Sequence, residues 1–170
     1  MQKKISKLDK YALSLSGEYA VASELCRRGV YASLTLGNLK RTDLLAFIDE
    51  GTVARIEVKS KQGRDWVSVK GISEGNNFLV FVDYYNRSES ERPDFYVLTP
   101  RDWRKCMRRK DRERTKKGLT RLRISDTNSP TFSKEIQRNG KPREGMTVPL
   151  SYVEKERDRW EKIIQCVRIA

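Results

Sequence analysis

A nine-residue apolar run constrains the fold of this chain more than any other segment. It spans residues 77–85 and reads Asn-Phe-Leu-Val-Phe-Val-Asp-Tyr-Tyr, with no polar face in its centre. Aromatic and β-branched residues at this density are typical of a β-strand. Because a strand without a polar face must be covered on both sides, the run predicts an interior strand between two layers.

The segments around this run supply those layers. A helix is predicted over residues 8–28, since Ala, Leu and Glu are frequent there and Arg27-Arg28-Gly29 forms a typical C-terminal end. A second helix is predicted over residues 101–117. Further strands are predicted at residues 30–36, 42–48, 52–60, 66–70 and 95–98. This order of elements indicates an α/β fold with a mixed central sheet flanked by helices.

Side chains on three predicted helices indicate how they pack. In the first helix, the apolar stripe Leu15, Tyr19, Ala22 and Cys26 is expected to face the sheet. In the second, Trp103 and Met107 are expected to face the core. A terminal helix is predicted to begin at Leu150-Ser151, with Ser151 and Glu154 as a capping box. Trp160, Ile163 and Ile164 should dock it on the core. Residues 126–130 and 138–144 are predicted to be loops.

Positive charge is concentrated in the last seventy residues. The net charge is +13 overall, of which +2 falls in residues 1–100 and +11 in residues 101–170. A chain of this length usually forms one domain. We therefore expect a folded core over 1–100 and a basic extension of helices and loops over 101–170, with the terminal helix packed on the core. Such an extension is suited to a polyanion.

Composition excludes several classes of site. There is no histidine, so mechanisms that need a histidine base or metal ligand are excluded. Cys26, Cys106 and Cys166 are widely spaced, which indicates neither a disulfide framework nor a zinc cluster. No segment has the ~18 consecutive apolar residues of a membrane span, and no apolar signal region follows Met1. We expect a cytoplasmic, nucleoid-associated protein without a membrane partner.

Two carboxylates and a lysine fall in adjacent strand-like runs. Asp43 begins one run, and the other contains Glu57 and Lys59. An acidic residue two positions before a lysine occurs about twice by chance in this composition, so the pattern gains meaning only from its context. Alternate residues of a strand share a face, which places Glu57 and Lys59 together. Two carboxylates can hold a hard divalent cation beside an ammonium that stabilises phosphate charge.

Glu18 has two interpretations. It lies beside the apolar stripe of the first helix, where a carboxylate at the edge of a packed face commonly reaches water. Alternatively, a carboxylate beside a packed face has a functional reason to be there.

Four short motifs occur in a defined order. They are Gly17-Glu18-Tyr19-Ala20, Thr42-Asp43-Leu44, Ile56-Glu57-Val58-Lys59 and Pro93-Asp94-Phe95-Tyr96-Val97-Leu98. This order resembles the PD-(D/E)XK nuclease superfamily, in particular its Holliday-junction-resolvase-like and small bacterial homing endonuclease branches. The resemblance covers about residues 12–100 and implies a restriction-endonuclease-like core. Thr42 stands where the family usually has proline.

The resemblance implies a role for each motif residue. Asp43 and Glu57 correspond to metal-binding carboxylates, Lys59 to the catalytic lysine, and Glu18 to a helix carboxylate aimed at the same site. Glu18 would bind a second metal ion or orient a metal-bound water. The backbone carbonyl of Val58 is a further implied ligand. The implied activity is Mg²⁺-dependent (or Mn²⁺-dependent) hydrolysis of phosphodiester bonds in DNA.

The basic segment is predicted to contact double-stranded DNA. Residues 101–117 contain ten Lys and Arg against three Asp and Glu, which is self-repelling without a polyanion. A solvated helix face is the alternative interpretation. The candidate DNA-binding residues are Arg101, Arg104, Lys105, Arg108, Arg109, Arg112, Arg121 and Arg123. Lys134, Arg138, Lys141 and Arg143 would extend this surface.

Several functions share these features. A site-specific endonuclease of homing or restriction type is favoured, because a long basic extension suits a long duplex site. A Holliday junction resolvase is the nearest enzymatic alternative. A non-catalytic nucleic-acid-binding module on the same fold and a basic RNA-binding protein are the others. Since one active site cuts one strand, a homo-oligomer (dimer or tetramer) is expected.

Overall fold

A computed structural model describes residues 8–35, 41–49, 51–125, 127–137 and 140–168. The helices are α1 (Lys10–Cys26), α2 (Pro100–Lys116) and α3 (Glu161–Arg168). The strands are β1 (Tyr31–Leu34), β2 (Leu44–Phe47), β3 (Ala54–Lys61), β4 (Trp66–Val69), β5 (Asn77–Asp83), β6 (Asp94–Leu98), β7 (Arg123–Ile124), β8 (Pro130–Ile136), β9 (Pro142–Glu144) and β10 (Met146–Val148). Two 3₁₀ turns, Leu150–Tyr152 and Glu154–Glu156, precede α3.

A five-stranded mixed sheet forms the centre of the molecule. Its order is β1-β2-β3-β5-β6, with β3 and β5 parallel and the other pairs antiparallel. As predicted from its composition, β5 lies inside the sheet and residues 78–83 are buried. The α/β class with a mixed central sheet flanked by helices is therefore confirmed.

Apolar side chains alternate along these strands and build a core on each side of the sheet. One core packs α1 and α3 against residues such as Ile56, Val58 and Val80. The other packs α2, β4 and β10 against Leu79 and Phe81. Both cores are continuous clusters of buried side chains, so the layers on the two sides are held by hydrophobic burial.

The second helix and the docking of the third agree with prediction. Trp103 and Met107 of α2 are fully buried. Trp160 and Ile163 are buried on the opposite side of the sheet, and Ile164 packs partly buried beside them. No helix in the described ranges combines the length and the apolar character that crossing a membrane requires.

The predicted start of the terminal helix is wrong. Residues 150–156 form 3₁₀ turns, and α3 begins only at Glu161. Ser151 lies inside the first 3₁₀ turn and does not cap a helix. Its carbonyl and hydroxyl oxygens accept hydrogen bonds from the guanidinium of Arg109 at 2.7 and 3.4 Å. The chain then turns at Asp158, which has a φ of 51°.

The prediction of a loop over residues 138–144 is also wrong within the described part. Pro142–Glu144 is a strand, and it completes a small antiparallel sheet of order β7-β8-β9. All three residues of this strand are exposed, so the segment has no apolar alternation by which sequence could identify it. Similarly, the predicted loop at 126–130 ends where β8 begins, at Pro130.

The predicted apolar stripe of α1 faces partly outward. Tyr19 is 57% exposed and Cys26 is also exposed. The buried face instead contains Gly17, Val21 and Glu24 together with Ala22 and Leu25. This face approaches β3 closely at Gly17, where a Cβ would lie 1.8 Å from Ser60 Oγ.

Candidate active site

The candidate site lies where β2 ends and one edge of β3 becomes free. β2 pairs with β3 only at residues 54–56. Asp43 stands immediately before β2, with its N–H donating to the Ile56 carbonyl at 2.8 Å. Beyond that point the Val58 N–H donates to Asp43 Oδ2 at 2.6 Å. The short turn between the two strands therefore brings Asp43 against the backbone of the Glu57–Lys59 segment.

Glu57 and Lys59 lie on the face of β3 that is turned towards α2. In the parallel register they pair with Leu79 and Phe81, which belong to the core under that helix. Glu57 is only 4% exposed. Lys59 Nζ lies 2.9 Å from Glu57 Oε1, and it also donates to the Val58 carbonyl at 3.1 Å. The predicted shared face is thus present, and the buried carboxylate is partly neutralised.

The second oxygen of Glu57 is less well satisfied. Oε2 is buried and has no hydrogen-bond partner among the described residues. Arg41 Nε lies 3.6 Å from this oxygen and also lacks a hydrogen-bond partner among those residues. A buried carboxylate oxygen in this state is costly, so it is a ready acceptor for a cation.

Glu18 approaches from α1, on the other side of the free edge. Its side chain accepts a hydrogen bond from Ser14 Oγ at 3.2 Å. Burial raises the pKa of Glu18, and the negative charge of Asp43 raises it further, whereas the Ser14 hydrogen bond and Lys59 oppose the change. Glu18 is therefore close enough to interact electrostatically with both Asp43 and Lys59.

The donor set suits a hard divalent cation. Asp43 and Glu57 offer carboxylate oxygens, and the Val58 carbonyl lies on the edge of β3 that no strand of the described residues covers. Oxygen ligands of this kind match Mg²⁺ and Mn²⁺. In the described part of the chain, no three Asp, Glu, Cys or His side chains already surround a common metal position. The orphaned Oε2 of Glu57 is the observation that fits a metal here, with Asp43 and Val58 as partners.

A cleft of about 320 Å³ opens beside Lys59. Its walls come from the start of α1, the end of β3 and the turn into β4. Lys10, Ser14, Lys59 and Gln62 are among the polar residues that line it. The cleft places two further groups, Lys10 and Ser14, next to the candidate catalytic lysine.

A second buried ion pair on β3 was not expected from the sequence. Lys61 and Asp83 are both almost fully buried, with Nζ and Oδ2 2.8 Å apart. The ammonium also lies over the Trp66 ring, 4.4 Å from its centroid. The alternation that puts Glu57 and Lys59 on one face predicts Lys61 on the same face, but it carries no sign of the aspartate across the sheet.

The candidate DNA-binding residues divide into two groups. Arg104, Lys105, Arg109 and Arg121 form ion pairs within the molecule, with Glu74, Asp102, Glu113 and Asp111 respectively. Arg101, Arg108, Arg112 and Arg123 are exposed and form no ion pair within the described ranges. The second group is therefore the better placed to contact phosphates.

The small β7-β8-β9 sheet carries other predicted cations. Arg143 pairs with Glu135 at 3.0 Å, and Lys141 lies beside a 650 Å³ groove between this sheet and β4. Arg138 and the side chain of Lys134 lie outside the described residues.

Similarity to known proteins is found at the level of structure and not of sequence. No protein-family model matches the chain, and no curated protein matches it. Among solved structures, the chain is similar to the bacterial homing endonuclease I-Ssp6803I, with 19% identity over 92% of this chain and 93% of that one, and a TM-score of 0.43. At such values a functional assignment depends on the geometry of Asp43, Glu57 and Lys59.

Proposed function

We propose that this chain is a Mg²⁺-dependent (or Mn²⁺-dependent) endonuclease that hydrolyses phosphodiester bonds in double-stranded DNA. Within that class we favour a site-specific enzyme of homing or restriction type. The observation that carries the proposal is the meeting of Asp43, Glu57 and Lys59 at the free edge of β3, with one buried oxygen of Glu57 left without a hydrogen bond.

Asp43 and Glu57, with the Val58 carbonyl, would hold the divalent cation. When bound, the ion would neutralise phosphate charge and make a coordinated water more acidic. The Val58 N–H holds Asp43 in orientation at 2.6 Å, so this ligand needs little rearrangement. Preorganised ligands of this kind lower the entropic cost of assembling the site.

Lys59 would stabilise the charge of the reacting phosphate. Its side chain is 34% exposed and carries the ammonium on a flexible alkyl chain. The ammonium can therefore leave Glu57 and reach a phosphate oxygen in the adjoining cleft. Glu18, with its raised pKa, accepts a proton more readily than an ordinary carboxylate. It is thus suited to orient the attacking water or to receive its proton.

DNA cleavage by the wild type and two variants tests this proposal. Plasmid, linear duplex and four-way-junction DNA are incubated with and without Mg²⁺. We expect cleavage of duplex DNA that needs the cation, and loss of cleavage by at least about a hundredfold in Asp43→Ala and Lys59→Ala. DNA binding by both variants, measured in a gel-shift assay, should be largely retained.

Exposed residues of the same types provide the controls. Asp49→Ala and Lys155→Ala should cleave like the wild type, since both residues are exposed and lie outside the site. Normal cleavage by Asp43→Ala in Mg²⁺ would refute the site assignment. A preference for the four-way junction would instead identify a junction resolvase.

The two groups of arginines predict different effects on DNA affinity. Each phosphate contact contributes about 0.9 to the slope of log K against log salt. The double variant Arg108→Ala/Arg112→Ala should therefore reduce that slope by about 2. The double variant Arg104→Ala/Arg109→Ala should reduce it less, because Arg104 already pairs with Glu74 and Arg109 with Glu113. Equal slopes for both variants would contradict the division of the arginines into two groups.

Sedimentation of the complex with DNA would test the proposed homo-oligomer, a dimer or tetramer.

A further inference from the structure

Arg41 connects the candidate metal ligand Glu57 to a loop on the far side of the sheet edge. Its Nη2 donates hydrogen bonds to the carbonyls of Gly71 and Lys70, the second at 3.1 Å. Its Nε faces Glu57 Oε2 at 3.6 Å. The side chain is 27% exposed, so most of the guanidinium lies inside the protein.

The anchors of Arg41 are themselves held in place. Gly71 has a φ of 80°, and the Trp103 ring of α2 occupies the space where a Cβ would stand. Trp103 is fully buried and donates from Nε1 to the Asn128 carbonyl at 2.8 Å. The guanidinium is therefore hydrogen-bonded to a part of the backbone that has little freedom to shift.

This anchoring explains why two charged groups face each other without a hydrogen bond. Arg41 Nε and Glu57 Oε2 are both buried, and neither has a hydrogen-bond partner among the described residues. Their separation of 3.6 Å is beyond hydrogen-bonding reach but short for a charge–charge interaction. The carbonyls hold the guanidinium near the carboxylate and keep it from closing onto the oxygen.

The backbone of Arg41 shows that this arrangement is maintained at a cost. Its φ of 59° lies in the left-handed region, which disfavours residues with a Cβ. Strained backbone of this kind persists where surrounding contacts compensate for it, and the contacts that the Arg41 side chain makes are with the two carbonyls and Glu57.

The two cations beside Glu57 differ in their freedom. Lys59 contacts Oε1 and is free to swing into the adjoining cleft, as its function requires. Arg41 contacts Oε2 and is fastened by two carbonyl acceptors. When a divalent cation approaches Glu57, the lysine can withdraw its charge but the arginine cannot.

We propose that Arg41 is a positioning residue that holds the second oxygen of Glu57 and weakens the binding of a divalent cation in the absence of DNA. The inference rests on the proposed function, in that it takes Glu57 as a metal ligand. A fixed positive charge beside that ligand repels the cation. The negative charge of a DNA phosphate offsets this repulsion, so the cation binds mainly together with the substrate.

Calorimetric titration of the DNA-free protein with Mn²⁺ tests the proposal directly. Arg41→Gln keeps amide donors for the carbonyls but removes the charge, and we expect its Mn²⁺ dissociation constant to fall about tenfold. Arg41→Lys keeps the charge but makes it mobile, so its Mn²⁺ dissociation constant should lie between those of the wild type and Arg41→Gln. Arg168→Gln, an exposed arginine on α3 and away from the site, controls for net charge and should leave the constant unchanged.

Other outcomes separate this inference from the proposed function. If the wild type cleaves DNA and Arg41→Gln binds Mn²⁺ with unchanged or weaker affinity, the role of Arg41 is refuted and the endonuclease stands. A purely structural role would lower the melting temperature of both Arg41 variants without tightening Mn²⁺ binding. If the wild type neither cleaves any DNA substrate nor binds Mn²⁺, the proposed function fails, and the inference fails with it.

Discussion

Glu24 and Glu57 are both buried glutamates surrounded by cations, yet their surroundings differ in completeness. Glu24 is 5% exposed, and each of its oxygens accepts two hydrogen bonds from arginines. Those arginines are Arg27, Arg28 and Arg92, and Arg92 also binds Asp158 ahead of α3. Glu57 is equally buried, but one of its oxygens has no hydrogen bond within the described ranges.

The difference indicates two uses for a buried carboxylate. A fully bonded one ties elements together, and Glu24 links α1 to the loop before β6 and to the start of α3. An incompletely bonded one retains the capacity to bind something further. Buried ion pairs contribute little net stability but are costly to break, so completeness rather than burial separates the two sites.

The largest expected effect is on cleavage, and it should fall on Glu57 alone. Glu57→Gln removes the charge at nearly constant volume and should reduce the cleavage rate at least about a hundredfold. Its free energy of unfolding should fall less than that of Glu24→Gln, because Oε2 of Glu57 has no hydrogen bond to lose whereas both oxygens of Glu24 accept two. Glu24→Gln should cleave at the wild-type rate at temperatures where it remains folded. Single-turnover cleavage of duplex DNA measures the rates of both variants. Slow cleavage by Glu24→Gln together with normal cleavage by Glu57→Gln would contradict the distinction between the two glutamates.

The next largest expected effect is a loss of folding stability when Glu24 is replaced. Glu24→Ala leaves three arginines without their shared acceptor, and we expect the free energy of unfolding to fall by about 2 kcal/mol. The loss stays moderate because Arg27 and Arg92 are partly exposed and can be solvated. Urea unfolding provides the measurement, with the exposed Glu89→Ala as a control within about 0.5 kcal/mol of the wild type. A change no larger than that of the control would show that the cluster is dispensable.

The smallest expected effect is a pH dependence of stability. The hydrogen bonds from Arg92, and then those from Arg28, lower the pKa of Glu24 to about 2, from an ordinary 4.5. Since the folded pKa lies below the unfolded one, the stabilisation is complete above the unfolded pKa and is lost as pH falls towards the folded one. The wild type should therefore lose more stability than Glu24→Gln between about pH 5 and pH 3. Parallel urea midpoints across that range would contradict this assignment.

Two local rules made the meeting of Asp43, Glu57 and Lys59 predictable. A short turn pairs adjacent strands, and side chains alternate along a strand. The interior position of β5 followed in the same way from its composition. The roles assigned to these three residues stay predictions until cleavage is measured.

Contacts between distant segments could not be predicted in this way. Arg41 meets Glu57 because residues 70–71 and Trp103 hold it there, and none of these positions forms a local pattern with it. The buried face of α1 approaches Ser60, which lies more than forty residues away from Gly17.

Two similar capping patterns show most clearly how far a local sequence pattern can predict the start of a helix. Thr99 and Asp102 form a capping box at the start of α2, where Pro100 favours the first helical turn. Ser151 and Glu154 have the same spacing, yet only 3₁₀ turns form there and Arg109 of α2 binds the oxygens of Ser151. The spacing alone therefore does not distinguish the start of an α-helix from a segment held by tertiary contacts.

The missing side chain of Gly17 determines how far Glu18 can extend. Helix α1 touches β3 at this glycine, where the room for a Cβ is already taken by Ser60 Oγ. A methyl group there would have to displace the Ser60 hydroxyl and would lie 3.1 Å from Ser60 Cβ. A bulkier side chain would separate helix from strand, and the Glu18 carboxylate would move away with the helix. The distance between α1 and β3 at Gly17 thus sets how far the Glu18 carboxylate extends towards the candidate site. The size of the side chain at position 17 is therefore a means of changing that distance.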